Sequence, residues 1–232
     1  SDDADDVEDI TSICGGLNIN IGTLNKNTIP SMFLAGKKAN ELGHIVLLDP
    51  VGAGASRLRT DTANRLMQEV RFDAVRGNIS EIKTLCTGSG STKGVDADAV
   101  DAVTEANLDD GVQLVKTFAQ RAGCIVAVTG AIDLVSDGER CWCIRNGRAE
   151  MSRITGTGCQ LSALMTAFLV ANPDHKLDAA AAAVCMMGLA GEIGWANMQP
   201  GDGNSTYRNR IIDAIFNMTG DALEKGAKYE LR

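Results

Sequence analysis

A chain of 232 residues, 44% hydrophobic and 22% charged, is long enough to bury a sizeable core and has a globular balance, which excludes disorder as its main state. Its net charge of −8 comes without any Lys/Arg cluster, which argues against a nucleic-acid surface and means that an anionic ligand needs local help from helix ends, a few arginines and a divalent cation. Cysteines at Cys14, Cys86, Cys124, Cys141, Cys143, Cys159 and Cys185, with two histidines, match neither a disulfide framework nor a zinc set and point to a reducing cytoplasm.

The acidic run from Ser1 to Asp9 reads as the solvated start of a helix. Leu17 to Ile21 alternates apolar and polar residues as a strand does and enters a loop at Gly22-Thr23. An amphipathic helix from Pro30 to Leu42 ends at Gly43, and His44 to Leu48 is a continuous apolar run, the pattern of a strand buried on both faces of a parallel sheet. Asp49-Pro50-Val51-Gly52-Ala53-Gly54 follows at its carboxyl end. The alternation repeats with a helix near Asp61 to Val70, a strand from Asp73 to Arg76 and a helix from about Ser80.

The stretch Thr87 to Gly94 lacks the Gly-Lys-Ser/Thr ending of a P-loop and reads as a mobile surface loop. Helix is predicted up to Ala122 with a break near Asp109. Cys124 to Val128 is another buried strand ending at Thr129-Gly130. Leu134 to Ser136 and Cys141 to Arg145 flank Asp137-Gly138 as a small β-hairpin, with Cys141 and Cys143 at alternate positions of one strand. The remainder is predicted mostly helical. Its most apolar run, Ala179 to Ala190, is short for a bilayer span and reads as a tightly packed core helix. The pattern predicts an α/β fold in one domain, 1–232, with a mainly parallel central sheet covered on both faces.

The most informative segment is Gly156-Thr157-Gly158-Cys159, a glycine turn running into apolar residues at helical spacing, Leu161, Leu164, Met165 and Phe168. The first amides of such a helix lack partners, and with the helix dipole they attract phosphate oxygens. Cys159 lies in the same field and is a candidate base. Ligands of open α/β sheets collect beyond the carboxyl ends of the strands, where Asp49, Arg76, Glu81 and Thr129 fall. Asp49 and Glu81 are carboxylates of the kind that hold Mg²⁺, and Arg76 can clamp phosphate oxygens. Singly, each also has an ordinary role: a turn cap for Asp49 and Thr129, an exposed helix charge for Glu81, a surface ion pair for Arg76.

Taken together, Gly22-Thr23-Leu24, Asp49 to Gly54, Arg76-Gly77-Asn78-Ile79-Ser80-Glu81, Val128-Thr129-Gly130 and Gly156 to Cys159 resemble, in order and across nearly the whole chain, the ribokinase-like superfamily and within it the hydroxyethylthiazole kinases. The resemblance implies ATP-dependent phosphorylation of the hydroxyl of 5-(2-hydroxyethyl)-4-methylthiazole in thiamine salvage. It implies Mg²⁺ organised by Asp49 and Glu81, ATP contacted by Arg76 and Thr129, and the thiazole alcohol at Gly156. The amides from Gly156 through Thr157 and Gly158 to Cys159 would form the anion hole, with Cys159 standing where sugar kinases carry an aspartate base. It further implies a cytoplasmic homotrimer with sites between subunits, and an upstream segment that this chain lacks. A hydroxymethylpyrimidine kinase or another small-molecule kinase of the superfamily is the nearest alternative; a nucleotide-binding regulator without turnover is a more distant one.

Overall fold

The computed structural model describes residues 2–87 and 102–232. Helix α1 (Val7–Ile13) precedes an alternation of strands and helices: β1 (Gly16–Asn20), α2 (Thr28–Leu42), β2 (Ile45–Asp49), α3 (Arg57–Glu69), β3 (Ala74–Asn78), α4 (Ile79–Thr87), α5 (Leu108–Ala122) and β4 (Ile125–Thr129). Strands β5 (Asp133–Ser136) and β6 (Cys141–Ile144) follow, then helices α6 (Thr157–Ala171), α7 (Lys176–Ala196), α8 (Asn204–Phe216) and α9 (Gly220–Gly226), and strand β7 (Tyr229–Leu231).

Among the described residues, seven strands form one sheet in sequence order. β1 to β4 are parallel, and β4 to β7 are joined antiparallel. This order decides where the helices go. Parallel strands that advance steadily in one direction through right-handed crossovers put every connecting helix on the same face. Phe33, Ala63, Leu66, Ile82, Leu85 and Phe118, all from α2 to α5, accordingly share one apolar cluster. The opposite face is left to the chain after β6, and Leu161, Met165, Leu169, Val184 and Ile211 of α6, α7 and α8 cover it. A sheet covered on both sides needs strands apolar on both sides, which is why all five residues of β2 are buried.

The predicted elements match the structure with ends shifted by a few residues, and the hairpin of β5 and β6 is present as the continuation of the main sheet. Cys141 and Cys143 are fully buried on one face of β6, and all seven cysteines are free thiols. Three readings need correction or fall away. Strand β7 lies in the tail predicted to be helical; three residues carry no periodic signal, and only pairing with β6 makes Tyr229–Leu231 a strand. The helix expected to break near Asp109 begins at Leu108 after a 3₁₀ turn over Glu105–Asn107, so Asp109 belongs to its first turn. The stretch read as a mobile loop lies, beyond Thr87, outside the described residues. Helix α7 is longer than its apolar run and by length and composition is sufficient to cross a membrane; 67% of its most apolar window is buried inside the protein, as befits a core helix.

Candidate active site

Period-two alternation aims a row of polar side chains at one spot. Asn20, Asp49 and Thr129 end β1, β2 and β4, Arg76 lies on β3, and all four stand on the sheet face that α6 covers. Asn20 and Asp49 are direct neighbours in register, as are Asn78 and Thr129. Helix α6 starts above this row. Its N-terminal turn is made possible by Gly156, whose φ of 96° lies in the left-handed region that favours glycine. The first bond within the helix runs from Gln160 N to the Gly156 carbonyl, so the amides of Thr157, Gly158 and Cys159 find no acceptor in their own helix.

Gly158 is required for a different reason. A Cβ there would stand 2.6 Å from Nη1 and 2.8 Å from Nη2 of Arg76, so the helix start and the guanidinium approach each other only because a side chain is missing. Arg76 in turn donates from Nη2 to Thr129 Oγ1 at 2.7 Å and lies 3.7 Å, through Nη1, from Asp49 Oδ2. Its Nε is buried without a partner.

Asp49 is fully buried. Its Oδ2 accepts from Asn20 Nδ2 at 2.9 Å and from Ser162 Oγ at 2.8 Å, while Oδ1 has no hydrogen-bond partner. Burial raises its pKa above the ordinary value, and Arg76, Ser162 and Asn20 only partly offset that. Glu81, also buried, is raised for the same reason, opposed by the amides that its oxygens accept from, Gly52 N and Asn78 N, both at 2.8 Å. Glu81 N in turn donates to Asn78 Oδ1, so strand end and helix start brace one another. A third carboxyl, Asp133 at the start of β5, is pushed up to about 7 by burial, against the Gly130 amide and the Arg76 charge.

Asp49, Arg76, Thr129 and the Gly156 to Cys159 turn therefore meet in one place, and Glu81 stands beside them through Gly52 and Asn78. Cys159, exposed at the third position of α6, is 3.1 Å from Asn20 Nδ2, the same nitrogen that binds Asp49. Asn20, Ser162 and Asp133 were not singled out from the sequence. A signal for the first two existed: a polar residue on the inward face of a strand, and another one turn beyond Cys159 in an apolar stripe. Arg59 was missed as well; it donates to the carbonyls of Val51 and Gly22 at 3.0 and 2.8 Å and clasps the loops after β1 and β2 together.

A family model described as the hydroxyethylthiazole kinase family matches residues 1–221. The chain belongs to that family. Similar relatives include the hydroxyethylthiazole kinase of Clostridium acetobutylicum, 54% identical over 99% of this chain and 84% of the relative, and that of Clostridium beijerinckii, 46% identical over 99% and 82%. Among solved structures, the hydroxyethylthiazole kinase protein of Pyrococcus horikoshii superposes with a TM-score of 0.86 at 29% identity, covering 100% of this chain and 83% of the other. Pyridoxal kinase of Staphylococcus aureus, at 18% identity and a TM-score of 0.58, shows the fold alone, that of the ribokinase-like kinases. The family members are kinases, with ATP as co-substrate.

Proposed function

We propose that this protein transfers the γ-phosphoryl group of ATP to the hydroxyl of 5-(2-hydroxyethyl)-4-methylthiazole, as the names of its relatives indicate for them. One observation carries the reading: the Arg76 guanidinium packs against the α6 start at Gly158 and lies 3.7 Å from Asp49, and Asn20 bridges Asp49 to Cys159 beside the amides of α6 that have no acceptor in their own helix. Phosphoryl transfer passes through a loose transition state, so catalysis is chiefly positioning and charge stabilisation. Arg76 and Thr129 hold phosphate oxygens, with the open Nε of Arg76 as a further donor. The amides from Thr157 to Cys159 face the group in flight and neutralise its equatorial oxygens. The alcohol, seated beside Gly156, attacks γ-phosphorus through its oxygen; the bond to the bridging oxygen breaks, ADP departs, and the alcohol's proton passes to the Cys159 sulfur.

The residues present also fit Mg²⁺. Asp49 Oδ1 is a buried carboxylate oxygen without a partner, and Glu81 keeps a second lone pair on each oxygen beyond the amide it accepts. Among the described residues no three metal-ligating groups cluster; Mg²⁺ takes one or two carboxylates and completes its shell with water and phosphate. When bound, the ion screens the negative charge of the nucleotide. Asp49 and Glu81 are the residues that would hold it.

Seven free thiols suit the reducing cytoplasm as the place of action. Cys159 is exposed, and the family resemblance supports a trimer in which a neighbouring subunit contributes to the site. The deciding assay measures ADP release and follows the phosphorylated product by ³¹P NMR with the thiazole alcohol and with hydroxymethylpyrimidine in parallel. Thiazole-dependent turnover is expected; turnover with the pyrimidine alone would transfer the assignment to the rival kinase.

A further inference from the structure

We infer that Asn20 is a positioning residue of this reaction, holding the Cys159 sulfur in fixed relation to Asp49; the inference rests on the phosphotransferase reading above. The orientation of its carboxamide is not free. Gly22 N donates to Asn20 Oδ1 at 2.8 Å, which leaves Nδ2 to face the site. The two N–H groups of that nitrogen then have two acceptors, Asp49 Oδ2 at 2.9 Å and Cys159 Sγ at 3.1 Å. One amide thus bridges the carboxylate that faces the phosphates and the sulfur that receives the alcohol's proton, although they stand on different elements, β2 and α6. Because Oδ2 takes the Asn20 and Ser162 bonds, Oδ1 is the oxygen of Asp49 left open.

The consequence of losing Asn20 falls unevenly on its two partners. Asp49 keeps Ser162 at 2.8 Å and Arg76 at 3.7 Å and stays seated. Cys159, on the exposed side, has no other side-chain hydrogen bond among the described residues. The sulfur is therefore the group set loose, and the attacking alcohol oxygen loses its registration against γ-phosphorus. Misplacement by about 1 Å is sufficient to cost on the order of 100-fold in rate.

The test is a double-mutant cycle read in kcat with the thiazole alcohol, using Asn20→Ala, Cys159→Ala and the pair, together with Asn20→Asp. Asn20→Ala is expected to lower kcat by roughly 10- to 100-fold, the size of one lost hydrogen bond to a charged or reacting group, with KM for ATP within about threefold of wild type. In the Cys159→Ala background the same substitution is expected to change kcat by less than about threefold, because the partner it acts through is gone. Asn20→Asp keeps the acceptor for the Gly22 amide but sets an oxygen against both Asp49 Oδ2 and the sulfur, and is expected to fall below Asn20→Ala. Independent, multiplicative effects of Asn20→Ala and Cys159→Ala would overturn the inference, as would a near-normal Asn20→Asp, the mark of a residue that only holds the turn. A wild-type protein that turns over the alcohol while the cycle is additive rejects the role of Asn20 alone; a wild type with no alcohol-dependent ADP release rejects the functional reading and this inference with it.

Discussion

Two carboxylates of the site, Asp49 and Glu81, are held in the fold with raised pKa values, and a third carboxyl, Asp133 at the start of β5, is pushed up to about 7. Burial of a carboxyl without full compensation is unfavourable to the folded state whenever the group is ionised. For Asp133 the sign follows directly. Its folded pKa lies above the ordinary 3.8, so the folded state binds more protons between those values, and stability falls as pH rises from about 4 through about 7. Asp133→Asn retains an acceptor for the Gly130 amide and removes the charge. Its melting temperature is expected to exceed that of wild type by a margin that widens from pH 5 to pH 8 and levels off above. A margin constant over that range, measured by calorimetry, would show that Asp133 does not titrate there. The chemistry has its own ranking. Cys159→Ser is expected to slow turnover without abolishing it, since base assistance contributes less than charge stabilisation, whereas Asp49→Ala or Arg76→Ala is expected to lower kcat by about 1000-fold or more. Comparable, small effects from all three in the same assay would refute the roles assigned.

At the scale of elements, the decisive approach is between α6 and β3. Gly158 leaves no room for a side chain, with Arg76 Nη1 2.6 Å from where a Cβ would stand. A methyl group there does little to the helix itself, since alanine is a better helix former than glycine. It pushes the guanidinium off Thr129 Oγ1 and away from Asp49. Gly158→Ala is therefore expected to keep or slightly raise the melting temperature while KM for ATP rises and kcat falls, each by about tenfold or more. A normal KM for ATP in a well-folded Gly158→Ala protein would mean that Arg76 does not bind the nucleotide from this position. The loops after β1 and β2 are tied by a comparable device, Arg59 reaching the carbonyls of Gly22 and Val51, and that clasp keeps Asn20 and Asp49 in register beyond the last ladder bond.

Across the whole molecule, the steady advance of β1 to β4 segregates the chain into two layers with different duties. The layer of α2 to α5 covers one face as scaffold, and the layer of α6 to α8 brings the glycine turn at the start of α6 over the strand ends. Among the described residues the sheet runs from β1 to β7, and the site lies toward β1 with Cys159 exposed. Light scattering coupled to size exclusion is expected to give three chains per particle for the active species. A fully active monomer, shown by turnover per chain that is unchanged on dilution through dissociation, would exclude a site shared between subunits.

Much of this was legible beforehand because the responsible signals are local. Apolar strand runs such as Ile45 to Leu48, the stop at Gly43 and the Gly156 to Cys159 turn record backbone and burial preferences that each short segment holds by itself. These determined the α/β alternation, the strand ends where ligands gather, and the candidate residues Asp49, Arg76, Glu81, Thr129 and Cys159. Only the tertiary structure decided that β7 is a strand, because its three residues acquire that conformation from β6. The same holds for Asn20 and Ser162. An asparagine and a serine are common polar residues with no motif of their own, and they take on a role when a residue from β1 and another from α6, 142 positions apart, close on one oxygen of Asp49. Local sequence encodes conformation, whereas the partners of a hydrogen bond between distant elements exist only once the chain has packed.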